Sequence, residues 1–153
     1  MNRYLHLNKI TGGKVILITA ILATIMVTTC NKNPNVMSRN KKVVSDYMDG
    51  FNLGDHNKIL SCLTDDVVWE MPGAYYHSGK KAFDKEIENE AFEGKPVINV
   101  VRVVEESDIV VAEGTVKGKR KGGEVFNAVF CDVFHMNNGK IKKLTSYLMF
   151  SRP

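Results

Sequence analysis

Cysteine is scarce in this chain, and so are proline and tryptophan. Three cysteines, four prolines and one tryptophan occur among 153 residues. So few cysteines cannot build a disulfide scaffold. Cys30 stands near the start, and Cys62 and Cys131 remain for the body of the chain. Those two either pair in an oxidising compartment or serve as small buried hydrophobes. Four histidines occur, without His, Cys and Asp at metal-ligand spacing, so no metal is expected. A phosphate-binding glycine loop and a Ser/His/Asp pattern are missing too, and no cofactor is expected. An excess of one charge is also lacking. Removing Arg3, Lys9 and Lys14 from the 21 basic side chains leaves 18 against 17 acidic ones. That balance gives no reason to bind nucleic acid.

Long apolar runs are rare as well. The one that stands out, Val15–Thr29, reads VILITAILATIMVTT and carries no charge. It is shorter than the roughly 20 residues that a membrane-spanning helix needs. A basic, polar segment precedes it, and Cys30 follows at once, so residues 1–29 read as an export signal. The tetrapeptide Val27–Cys30, VTTC, resembles a bacterial lipobox, in which the cysteine is lipidated and becomes the first mature residue. Thr29 stands where Gly, Ala or Ser is usual. The expectation is an exported, membrane-anchored lipoprotein on the periplasmic or cell-surface side. Residues 30–40 then form a polar tether, and 41–153 the folded domain.

What is present begins with Val43–Pro72. Val44, Tyr47, Met48 and Phe51 fall at i, i+3, i+4 and i+7, one face of a helix. Gly54 can end that helix and Asp55 can cap the next. Ile59, Leu60 and Leu63 give a second apolar face. Val67, Trp69 and Met71 then alternate with Val68 and Glu70, the period of a strand. A tyrosine on the helix and a Trp/Met face on the strand can wall one pocket. GAYYHSG (73–79) reads as a loop carrying His77, with Ser78 capping a third helix over about Lys80–Phe92. Strands follow over Val97–Val104 and Ile109–Lys117, joined by the turn 105–108. KGKRKGG (117–123) reads as a solvated hairpin tip or a basic contact for anionic lipid or sugar.

Val125–Met136 is the most informative strand. One face carries Phe126, Ala128, Phe130, Asp132, Phe134 and Met136. The other carries Val125, Asn127, Val129, Cys131, Val133 and His135. Both are largely apolar, so both are expected to be covered, one by helices and one by a second subunit. NNGK (137–140) signals a hairpin, returning over Ile141–Phe150. The order is α, α, β, α, then four antiparallel strands. That is an α+β fold, in which three N-terminal helices pack on a curved, mostly antiparallel sheet to enclose a cone-shaped cavity.

This order and several motifs over Lys41–Phe150 resemble the nuclear-transport-factor-2-like superfamily. Within it the likeness is to SnoaL-like polyketide cyclases and ketosteroid isomerases. The motifs are Tyr47 with Asn52-Leu53-Gly54-Asp55, Thr64-Asp65-Asp66, Ser78-Gly79, and Asp132-Val133-Phe134 leading to Gly139-Lys140-Ile141. The resemblance to ketosteroid isomerase implies that Tyr47 and a protonated Asp132 donate hydrogen bonds to a ligand oxygen. The proton-shuttling aspartate of that enzyme lies on the first strand before a proline. Met71 occupies the place here, and methionine carries no proton. Glu70 beside it points to the opposite face, so His77 is the better candidate base.

These residues point to two functions. The first is a lipid-anchored domain binding a small, mostly apolar ligand with one carbonyl or hydroxyl, with or without isomerase- or cyclase-type proton transfer. Phe51, Trp69, Met71, Phe83, Phe130 and Phe134 would wall the pocket. Tyr47 and Asp132 would be its polar end, although each can equally be a bonded core residue. The second is a non-catalytic homodimer or protein-interaction module at the cell envelope, acting through the outer face of Val125–His135.

Overall fold

The computed structural model describes residues 36–151. The expected signal, Cys30 and most of the tether lie outside them. Helix α1 (Arg39–Leu53) begins inside the stretch read as tether, because Ser38 caps it by accepting from the Lys41 N–H at 3.1 Å. Gly54 ends α1 at φ 64°, a left-handed turn that glycine adopts without steric cost. Asp55 caps α2 (His56–Ser61) through the Lys58 N–H at 2.9 Å. Leu63, assigned to the α2 face by its spacing, instead opens strand β1 (Leu63–Met71) and is fully buried there.

The stretch after Pro72 differs from its expected form. Tyr75–Ser78 is not loop but strand β2, paired antiparallel to β1 with Tyr75 opposite Met71 and His77 opposite Trp69. The tight turn before it closes by the Ala74 N–H donating to the Met71 carbonyl at 2.9 Å. Ser78 therefore belongs to the sheet and cannot cap α3 (Lys80–Ile87), whose N-cap is Gly79. Helix α3 also stops at Ile87, short of the expected Phe92. The Asn89 side chain accepts from the Ala91 N–H at 2.9 Å, a local bond that competes with helix continuation.

The remaining strands are β3 (Val97–Glu106), β4 (Ile109–Lys119), β5 (Val125–Asn137) and β6 (Lys140–Phe150). Among the described residues the sheet has six strands in the order β2-β1-β6-β5-β4-β3. Every neighbouring pair is antiparallel except β1 and β6. The fold is thus α+β, with a curved, mostly antiparallel sheet and helices on its inner face. Phe83, Phe134, Ile59, Leu63, Ile141 and Leu144 are fully buried between the layers. Asn52 fastens α1 to edge strand β3, donating to the Ile98 carbonyl at 3.1 Å and accepting from the Ile98 N–H at 2.7 Å.

Two features of the sheet bear on ligand access and on assembly. Strand β1 stays with β6 only as far as Glu70 opposite Thr145, whereas β6 runs on along β5 to Phe150 opposite Ala128. Strand β1 ends at Met71, so the last part of β6 has no neighbour on that side, which leaves a gap at one end of the sheet. Within this chain only one face of β5 is covered. Ala128, Phe130, Phe134 and Met136 are buried, but Val125 and Val129 on the other face are exposed. All three described helices lie on the inner side, so nothing in the described chain covers the outer one.

Candidate functional site

This gap opens into a cavity of about 880 Å³, lined by Trp69, Met71, Tyr75, Glu86, Phe126 and Leu148 and, from the outer sheet face, by Val129, Tyr147 and Met149. A second chamber of about 180 Å³, the inner-face one, shares part of this lining and reaches Ile98, Val116, Asp132 and Ser146. Phe51, Trp69, Met71 and Phe130 line both. The walls are mostly apolar, which suits a site that excludes water around a few placed polar groups.

Asp132 is the polar group of the inner chamber. Strand β5 holds it on the face it shares with Phe130 and Phe134, opposite Ser146 of β6. Burial pushes its carboxyl up to about 7, because low-dielectric surroundings disfavour the charged form. The Ser146 hydroxyl opposes this by hydrogen bonding to the carboxylate. Ser146 in turn accepts from the Trp69 indole N–H at 3.1 Å. An indole only donates, so it fills a lone pair of Ser146 and leaves that hydroxyl proton for Asp132. The bonded pair Trp69 and Ser146 thus adjoins Asp132 in an otherwise greasy wall. Near neutral pH the Asp132 carboxyl is partly protonated, and as an acid it donates a hydrogen bond.

Tyr47 sits close by but behind that wall. It is 2% exposed and packs edge-on against Phe51, Phe83 and Phe134. Its phenol is raised well above the ordinary value, first by burial and then by the charge of Asp132. It lines neither chamber, so the two groups share a corner without both facing a ligand. Phe83 and Phe134 are likewise fully buried and back the wall from the core. His77 lies on β2, not in a loop at the mouth. It is stacked on Tyr75 with ring centroids 4.8 Å apart, and its Nε2 lies 3.0 Å from Glu86 Oε2. Tyr75 and Glu86 face the cavity; His77 does not line it. Glu70 points outward as its strand parity requires, pairing with Lys143 at 2.9 Å. Cys62 and Cys131 are both free thiols, on opposite sides of the sheet layer. Among the described residues no group of three His, Cys, Asp or Glu side chains is placed to hold a metal.

The profile of the SnoaL-like domain matches residues 44–144. The chain belongs to the SnoaL-like family. No curated protein sequence matches it. Solved structures share the fold of this SnoaL-like domain at low identity. An NTF2-like protein from Burkholderia pseudomallei is 19% identical with a TM-score of 0.69, over 74% of this chain and 92% of its own. An LEH-like epoxide hydrolase of M. tuberculosis is 18% identical with a TM-score of 0.66, over 72% and 83%. TerC, co-crystallised with polyporic acid, is 23% identical with a TM-score of 0.66, over 74% and 92%.

Ser146, Tyr75 and Glu86 are among the cavity residues of this SnoaL-like domain that sequence reasoning missed. For Ser146 the signal was misleading. Counting back from the turn, where Asn137 meets Lys140, puts Thr145 opposite Asp132. An irregularity between His135 and Met136 shifts the ladder by one, so Ser146 takes that place. Tyr75 and Glu86 became wall residues only because β2 pairs with β1 and α3 lies across both, which local periodicity does not encode.

Proposed function

We propose that this SnoaL-like domain binds a small, mostly apolar molecule through one carbonyl or hydroxyl oxygen. The single observation that carries the reading is Asp132, a carboxyl in the wall of an apolar cavity, where burial favours its neutral form. A neutral carboxyl there donates to a carbonyl oxygen or to a phenolate, polarising the first and stabilising the second. Isomerase- or cyclase-type proton transfer beside that carbonyl is the catalytic form of the same reading. Met71 cannot shuttle the proton, and His77 reaches the cavity only through Glu86. A relative in fold that was crystallised with polyporic acid, and another that is an epoxide hydrolase, support a small organic ligand. The test is titration with an equilenin-like phenol, followed by fluorescence. Asp132→Leu should weaken binding at least ~10-fold, about the worth of one buried hydrogen bond. No binding to the wild type, or binding unchanged by the substitution, counts against the assignment.

The proposal extends to location: an exported domain tethered by lipid at Cys30. Basic Arg3, Lys9 and Lys14, the apolar run Val15–Thr29 and the sequence Val27–Cys30 support it. A palmitate analogue fed to cells should label the wild type and not Cys30→Ala; label surviving in the variant removes the anchor.

One observation favours a second reading, a homodimer or protein-binding module without catalysis. Val129, Tyr147 and Met149 are 45%, 52% and 70% exposed and adjoin on the outer sheet face. Such a patch suits a partner of like surface. A monomer by sedimentation at high concentration would eliminate the homodimer and argue against this reading.

A further inference from the structure

The cavity is lined by more charge than its apolar walls suggest. Glu86, Glu93, Lys95 and Lys119 border the larger chamber, and Asp132 the inner one. Glu93 and Lys119 satisfy each other at 2.7 Å, and the Lys95 ammonium is bonded to the Leu53 carbonyl. Glu86 is different. It has no lysine or arginine partner among the described residues, and only 19% of its side chain is exposed.

Its position is nonetheless fixed. Oε2 meets His77 Nε2 at 3.0 Å, and Oε1 accepts from Asn89 Nδ2 at 2.6 Å. His77 is held in turn by its stack on Tyr75 and its edge contact with Trp69 at 6.5 Å. A carboxylate has about four acceptor positions, and these two bonds leave the others open. Tyr75 lines the same cavity, and its phenol is raised first by burial and then by the charges of Glu86 and Asp132. Covering Glu86 with an apolar group would strip water from those open positions without replacing it.

We propose that Glu86 is a second polar anchor of the cavity, selecting ligands that carry a hydroxyl or amine donor in addition to the oxygen met by Asp132. The inference rests on the binding function proposed above and deepens it. The ligand class becomes a mainly carbocyclic molecule with an acceptor oxygen at one position and a hydrogen-bond donor at another. Asp132 reads the first, Glu86 the second, and Trp69, which lines both chambers, supports the body between them. His77 and Asn89 are positioning residues, holding the carboxylate in one orientation.

The experiment compares two probes, a naphthyl methyl ketone and its analogue with a phenolic hydroxyl on the far ring. The wild type should bind the hydroxylated ketone ~10-fold more tightly, because a site built to accept a proton penalises the ligand that lacks it. Glu86→Met should abolish that preference and bind the hydroxyl-free ketone at least as well as the wild type does, which also reports that the variant is folded. Equal binding of the two ketones to the wild type, or a preference that survives in Glu86→Met, overturns the proposal while leaving the cavity reading intact. Failure of the wild type to bind either ketone removes that reading and this one together. If Glu86→Met binds neither, Glu86→Gln decides: a preference reduced to a few-fold supports the anchor, and one of wild-type size overturns it.

Discussion

At about pH 8, Asp132→Asn should be more stable than the wild type by roughly 2–4 kcal/mol, and the advantage should vanish near pH 4. The reason is linkage. Burial lifts the Asp132 carboxyl to about 7 in the folded chain, while an unfolded aspartate titrates near pH 3.9. Between those two values the native state keeps a proton that the unfolded state has released. Stability therefore falls as pH rises from about 4 to about 7, and stays low above that. The gap of about three pH units corresponds to about 4 kcal/mol at most, and solvent in the chamber reduces it. Asparagine never ionises, so the variant escapes the loss while keeping an amide that can meet Ser146. His56, raised chiefly by its hydrogen bond to Asp84, also loses stabilisation as pH rises. It is the same in both proteins and cancels. Denaturant unfolding of the pair across this range is the measurement. A stability difference that does not change with pH would mean that Asp132 is not held neutral, and the donor role proposed for it would fall with that.

An aspartate buried in an apolar wall breaks a local rule, as residues at functional places do. That break was visible in the sequence, since an aspartate interrupting Phe126, Phe130 and Phe134 on one strand face needs no structure to be noticed. The helix α1 face, its Gly54 stop, the Asp55 cap and the four long strands were legible for the same reason: each rests on local periodicity or capping. Other features depend on pairing between distant segments. Tyr75 and His77 look like loop until β1 is there to pair with them. Ser78 looks like a helix cap until the same ladder claims it. Ser146 replaces Thr145 opposite Asp132 because of one irregular step in a hairpin. Tyr47 has the right strand opposite it, but the rings of Phe51, Phe83 and Phe134 close around its phenol, and only packing in three dimensions reveals that.

The same dependence on distant pairing gives the largest expected loss of stability. Gly114→Ala should cost about 3 kcal/mol or more and lower the melting temperature by roughly 10 °C. Gly114 sits in β4, between Val100 of β3 and Phe130 of β5. The ladder of β3 shifts between Val100 and Arg102, and the Asn99 carbonyl comes to lie over the glycine. A Cβ there would stand 2.1 Å from that oxygen and 2.9 Å from Phe130 Cε1. The first is backbone of a paired strand, so relief requires β3 to move and its hydrogen bonds to β4 to lengthen. The second is a wall of both chambers, so ligand binding should weaken together with the fold. Glycine is required here for space, since the chain on either side is ordinary strand. Calorimetry of the variant, with titration of the equilenin-like phenol on the fraction that stays folded, reads both effects. A melting point within a couple of degrees of the wild type would show that β3 yields without cost. The shifted ladder would then not be what holds Phe130 against the cavity.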